Sequence, residues 1–94
     1  RVVVLMGDGE LDEGSNHEAI AFAGRAGLER LTAVVIDNRS STHGWPGGIE
    51  QRFAVEGWDA VRVDGRDHQA IQSAFERVHT GSPLVVVAEV GRKR

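Results

Sequence analysis

The residues best suited to chemistry are Asp8 and Asn38, thirty positions apart. Asp8 lies between Gly7 and Gly9 directly after an apolar run, and Asn38 follows a second apolar run that ends in Asp37. A carboxylate, an Asn carbonyl and one backbone carbonyl meet the demand of Mg²⁺, which takes oxygen ligands, few of them from protein and several from phosphate or water. Glycines let the backbone come close to a ligand, and N–H groups beside a helix start suit a phosphate. The pattern fits a metal-bound phosphate. The competing reading is a Gly-Asp-Gly tight turn in which Asp8 bonds its own backbone.

The elements that must position these residues follow from apolar patterning. Val2–Met6 is a continuous β-branched run, expected as a parallel strand buried on both faces. Ser15-Asn16-His17-Glu18 has the S-x-x-E form of a capping box, which predicts a helix starting near Asn16. Ala19, Ile20, Phe22, Ala23, Ala26 and Leu28 give it an apolar face, and Gly27 sits near its end. Leu31–Asp37 is the second strand. Residues 39–48 (RSSTHGWPGG) are dense in turn formers. Ile49–Val55 reads as a short helix and Trp58–Val63 as a strand nearer an edge, with Trp58 in the core. Asp67 caps a helix over His68–His79, and Leu84–Val90 is the last strand. Strands alternating with helices imply an α/β fold, a parallel sheet with flanking helices. Four strands and three helices cannot cover both faces and both edges of such a sheet, so neighbours are expected.

Composition sets outer limits. Ninety-four residues bound one domain with a modest core. The chain is 40% hydrophobic and 27% charged with formal net charge −3, which provides no basic field for nucleic acid and no polybasic membrane patch. Cysteine is absent, which removes disulfides and thiolate metal sites and fits a cytoplasmic setting. No apolar run approaches the ~20 residues of a membrane span. The chain opens on Arg1 directly before a strand and closes on Gly-Arg-Lys-Arg directly after one, so both ends read as cut from something larger or matched to a partner chain.

Taken together, GDG, the EGSNHEA that follows it and the later DN form a pattern that resembles the thiamine diphosphate fingerprint of transketolases. EGWDAVRVDGRD (56–67) and SPLVVVAEVG (82–91) extend the resemblance across nearly all of the chain. It implies thiamine diphosphate and Mg²⁺ (or Ca²⁺) as cofactors, with Asp8, Asn38 and the backbone carbonyl of Ser40 as metal ligands. Gly7, Asp8, Gly9, Glu10, Asn38, Ser40 and His43 would line the cofactor, Gly9 through its N–H to the diphosphate. Glu13 and Glu18 match the paired glutamates of a proton relay between two active sites; by residue type alone they are a solvated acid and a capping-box member. His17-Glu18 is no zinc motif, because no second His follows at helical spacing, and His17 reads as a first-turn surface residue. His68 and His79 are read as solvent-facing.

The resemblance further implies a diphosphate-binding half of a transketolase-like enzyme that moves a two-carbon ketol unit between sugar phosphates. The pyrimidine-binding domain, whose glutamate activates the cofactor, is not in these 94 residues and would come from a larger homo- or hetero-oligomeric assembly. The 39–48 segment departs from the family pattern. Two alternatives stand beside this reading: a non-catalytic diphosphate- or nucleotide-binding domain of the same fold, and part of a thiamine enzyme acting on 2-oxo acids.

Overall fold

The computed structural model describes residues 1–12, 14–38 and 48–90, and of Asp12 and Ser15 the backbone alone. Four strands, β1 (Val2–Gly7), β2 (Leu31–Asp37), β3 (Asp59–Asp64) and β4 (Leu84–Glu89), form one sheet in the order β1-β2-β4-β3, parallel throughout. Between them run α1 (Gly14–Ala26), α2 (Ile49–Ala54) and α3 (His68–Phe75), and a 3-10 helix over Asp8–Asp12 joins β1 to α1. The expected α/β architecture is what the chain adopts.

Side-chain parity sorts the two faces. Ala33 and Val35 of β2 and Val85 and Val87 of β4 pack against Leu11, Ile20, Ala23, Ile49, Phe53 and Trp58, so α1 and α2 share one face. Leu84, Val86, Val61 and Val63 pack with Ala74 of α3 on the other. Trp58 anchors the first core: its ring meets that of Phe53 edge-on at 4.9 Å, and its Nε1–H donates to the Ile20 carbonyl at 2.8 Å. β4 lies between two strands and is buried from Leu84 to Ala88, the setting in which a fully apolar strand is stable.

β1 behaves differently. It was expected to be buried on both faces, yet it lies at the sheet edge, with Val3 50% and Leu5 69% exposed. Val3 and Leu5 pair with Thr32 and Val34, on the face where α3 packs chiefly over β3 and β4. Both side chains keep half or more of their surface exposed. A run of Val and Leu looks the same whether its cover lies within the 94 residues or beyond them. Trp58–Val63 was expected near an edge, and β3 is the other edge strand, with Trp58 just before it.

Boundaries moved at the start of α1 and at the end of α3. α1 starts at Gly14 rather than near Asn16, so Ser15 lies inside its first turn. Of its expected apolar face only Ile20 and Ala23 are buried, while Phe22 is 65% exposed; residues 22 and 26 lie a turn apart on the outward side of the helix. Its end is as expected: Gly27 has φ 64°, its N–H bonds the Gly24 carbonyl, and the Leu28 N–H bonds that of Ala23, a Schellman pair. α3 stops at Phe75 rather than His79. Just beyond it Arg77 forms a two-bonded fork with Asp59 at 2.9 and 3.0 Å, which leads the chain back to the sheet. Asp67 caps α3 as its type predicts, accepting from the Ala70 N–H at 3.1 Å. Among the described residues no helix is long and apolar enough to cross a membrane.

Candidate functional site

The site lies at the carboxyl ends of the strands, where parallel sheets bind ligands. Gly7, the last residue of β1, pairs with Ile36 of β2. Asp8 and Asn38 therefore follow at one and two residues beyond the last pair, on strands about 5 Å apart. The 3-10 helix turns Asp8 inward: it is 1% exposed, and Leu11 three residues on is fully buried in the first core. Asn38 is exposed at the tip of β2. The thirty-residue spacing is thus one strand end, one helix crossover and the adjacent strand end.

Among the other residues named from the sequence, Gly9 lies in the 3-10 helix and Glu10 is exposed beside it. The Glu10 carboxylate accepts the Gly7 N–H at 3.1 Å, closing the glycine turn on itself. The Glu10 carbonyl accepts from the Asn16 side chain at 2.7 Å, fastening that turn to α1. Glu18 is exposed on α1. Glu13, Ser40 and His43 lie outside the described residues. Among the described residues no three His, Cys, Asp or Glu side chains are grouped to hold a metal. A metal held at Asp8 and Asn38 would meet one carboxylate and would need its other ligands from amide, backbone and phosphate oxygens, a donor set that suits Mg²⁺.

His17 is not the plain surface residue expected. It is half-buried, and Arg52 Nε donates to its Nδ1 at 3.0 Å while its Nε2 meets the Leu11 carbonyl. A guanidinium only donates, so Nδ1 is the acceptor and the ring proton stands on Nε2, facing Leu11. The ring joins α2 to the 3-10 helix that carries Asp8. His68 is exposed as expected, and His79 packs its Nδ1 against the Ser82 carbonyl at 2.8 Å.

Sequence patterning also missed a charged cluster at the same end of the sheet. Arg62 of β3 donates through Nε and Nη2 to both carboxylate oxygens of Glu50 (2.8 and 2.9 Å), through Nη2 to Asp37 (3.0 Å) and through Nη1 to Glu89 (3.2 Å). Asp37 and Asp64 both pair with Glu89 in register. Arg62 shares the parity of Ala60, which packs on the first core, and so reaches toward α2. The hydrogen bond from Arg62 holds the Glu50 carboxyl below its ordinary range, against the opposing push of partial burial. The same bond to Glu50 raises the Arg62 guanidinium above its usual value. The signal available in the sequence was one Arg inside the alternating strand WDAVRV, with acids closing the second and last strands.

Comparison with known proteins adds a family. The family model described as "Transketolase, thiamine diphosphate binding domain" matches residues 1–89. Ferredoxin fas2 of Rhodococcoides fascians is 57% identical over 93 residues, covering 99% of this chain and 31% of its own. Transketolase 2 of Xanthobacter flavus is 39% identical over 102 residues, covering 98% of this chain and 15% of its own. Among solved structures, transketolase from Campylobacter jejuni superposes with TM-score 0.82 at 27% identity, over 95% of this chain and 15% of that one. A transketolase from Pichia stipitis gives TM-score 0.80 at 32% identity, over 93% and 14%. The chain thus spans less than a third of the length of each of these relatives.

Proposed function

Because the chain belongs to the family of transketolase thiamine diphosphate-binding domains, we propose that it forms the Mg²⁺–diphosphate-binding part of a transketolase-like enzyme. That enzyme transfers a two-carbon ketol unit between sugar phosphates. The observation that carries this reading is the inward-turned Asp8 at the end of β1, beside the strand whose tip presents Asn38.

In this reading Asp8 and Asn38 hold the metal, and the Ser40 carbonyl completes the protein's share. The Gly9 N–H and its neighbours Gly7, Glu10 and His43 line the diphosphate. Asp8 brings the negative charge that balances the metal, and its burial strengthens that attraction relative to water. Thiamine diphosphate, when bound, supplies the carbon nucleophile of the reaction. Glu13 and Glu18 carry protons between two such sites in a cytoplasmic dimer, and a pyrimidine-binding domain supplied by the rest of the assembly completes each site. The 94 residues are one diphosphate-binding unit and are inactive without that domain.

Calorimetric titration of thiamine diphosphate tests the reading, with Mg²⁺ and with chelator, on the wild type and on Asp8→Ala. Binding that needs the metal and is lost in Asp8→Ala is the expected result. Equal binding by the two proteins would refute it. With the pyrimidine-binding domain added, transfer of a ketol unit between sugar phosphates is the expected activity.

A second reading is favoured by the name of the relative at 57% identity, ferredoxin fas2. In it the same diphosphate site serves chemistry on a 2-oxo acid coupled to an electron carrier. Reduction of an iron–sulfur acceptor by the loaded assembly, in place of ketol transfer, would select it.

A further inference from the structure

Arg62 is not among the residues assigned to the cofactor or metal, yet it reaches three elements at the tip of the sheet. Its fork closes on Glu50 in the first turn of α2, one further N–H reaches Asp37 at the end of β2 and another reaches Glu89 at the end of β4. Asp37 is held from a second side, because its carbonyl accepts the Val90 N–H at 3.0 Å. The residue directly before Asn38 is therefore fixed through both its main chain and its carboxylate. We propose that Arg62 is a positioning residue for the metal site: by tying Asp37 to α2 and β4 it sets Asn38 against Asp8, and so sets the affinity for Mg²⁺-bound diphosphate. This rests on the function proposed above.

The geometry separates positioning from simple charge. A guanidinium presents its donors in a rigid planar fork, whereas an ammonium is a point charge that cannot span three carboxylates in this arrangement. Arg62→Lys keeps the positive charge and loses the fork. Glu50→Ala removes a negative charge near an anion site, which by charge alone should tighten diphosphate binding; by positioning it should loosen it. Residues that orient metal ligands typically change metal affinity by 10–100-fold when replaced.

The experiment titrates thiamine diphosphate with Mg²⁺ into the full chain and its variants, at a temperature where melting curves show each one folded. Arg62→Lys and Glu50→Ala are both expected to bind at least about tenfold more weakly than wild type. Wild-type affinity in Arg62→Lys, or tighter binding in Glu50→Ala, would overturn the inference. Asp8→Ala monitors the underlying reading separately. If the wild type itself does not bind, that reading fails and the tie is judged on the metal-free chain by NMR. There the Asn38 side-chain amide should shift in both variants, and an unmoved amide would overturn the inference.

Discussion

Gly24 of α1 lies so close to Glu56 that a Cβ at position 24 would stand 1.8 Å from the Glu56 carbonyl oxygen and 3.1 Å from the Trp58 ring. The helix passes over the turn after α2 with no room for a methyl group, and the obstacle is backbone, which cannot swing aside. In an exposed helix Gly→Ala would be worth up to ~1 kcal/mol of added stability. Here Gly24→Ala is expected to destabilise the chain by about 1–3 kcal/mol through overpacking. Urea unfolding measures this, and an unchanged or raised midpoint would contradict the packing described.

Thr32 is fully buried in β2, and among the described residues its Oγ1 has no hydrogen-bond partner. A buried hydroxyl without a partner carries its desolvation penalty uncompensated. Thr32→Val, of nearly the same shape, should raise stability by about 0.5–1.5 kcal/mol. A lower melting temperature would mean that the hydroxyl has a partner after all.

The Arg62 cluster makes stability depend on acid. Glu50 titrates below its ordinary 4.5 in the folded chain because Arg62 hydrogen-bonds its ionised form. A carboxyl depressed on folding stabilises the protein above its unfolded value, and that contribution is lost as pH falls through the folded one. Thermal melts between about pH 5 and pH 3 should show wild type losing stability more steeply than Arg62→Met. Parallel slopes would remove Glu50 from the explanation.

Exposed Val3 and Leu5, on a strand whose outer flank is unpaired among the described residues, open the chain to self-association. Leu5→Lys is expected to lower the association seen by sedimentation as concentration rises, with a change in stability within about 0.5 kcal/mol. A wild type that sediments as a monomer at every concentration would show that the face is inert.

What the sequence made legible was local. Each apolar run became a strand because its pattern needs only its own residues. The strand ends that carry Asp8 and Asn38 are adjacent because one helix crossover carries β1 to the neighbouring strand. The exposure of β1 was hidden, since burial of a Val depends on what stands over it. Phe22 was misjudged because α1 is covered along one stripe only. The Arg62 cluster was invisible for a different reason. Its four members come from β2, α2, β3 and β4, and their meeting is decided by the strand order β1-β2-β4-β3, which places the last strand in sequence between the second and third.

That strand order also grades how easily each part of the sheet opens. β4 is laddered on both flanks and buried, whereas β1, which delivers Asp8, is laddered on one flank only. Backbone amide hydrogens of β4 should exchange with solvent at rates near those of global unfolding, and those of β1 well before them. Part of the free energy of any ligand held by Asp8 then goes into quieting β1. By thermodynamic reciprocity, whatever pairs with the outer flank of that strand would raise the affinity of the site for its ligand, and the ligand would raise the affinity for the pairing strand by the same factor.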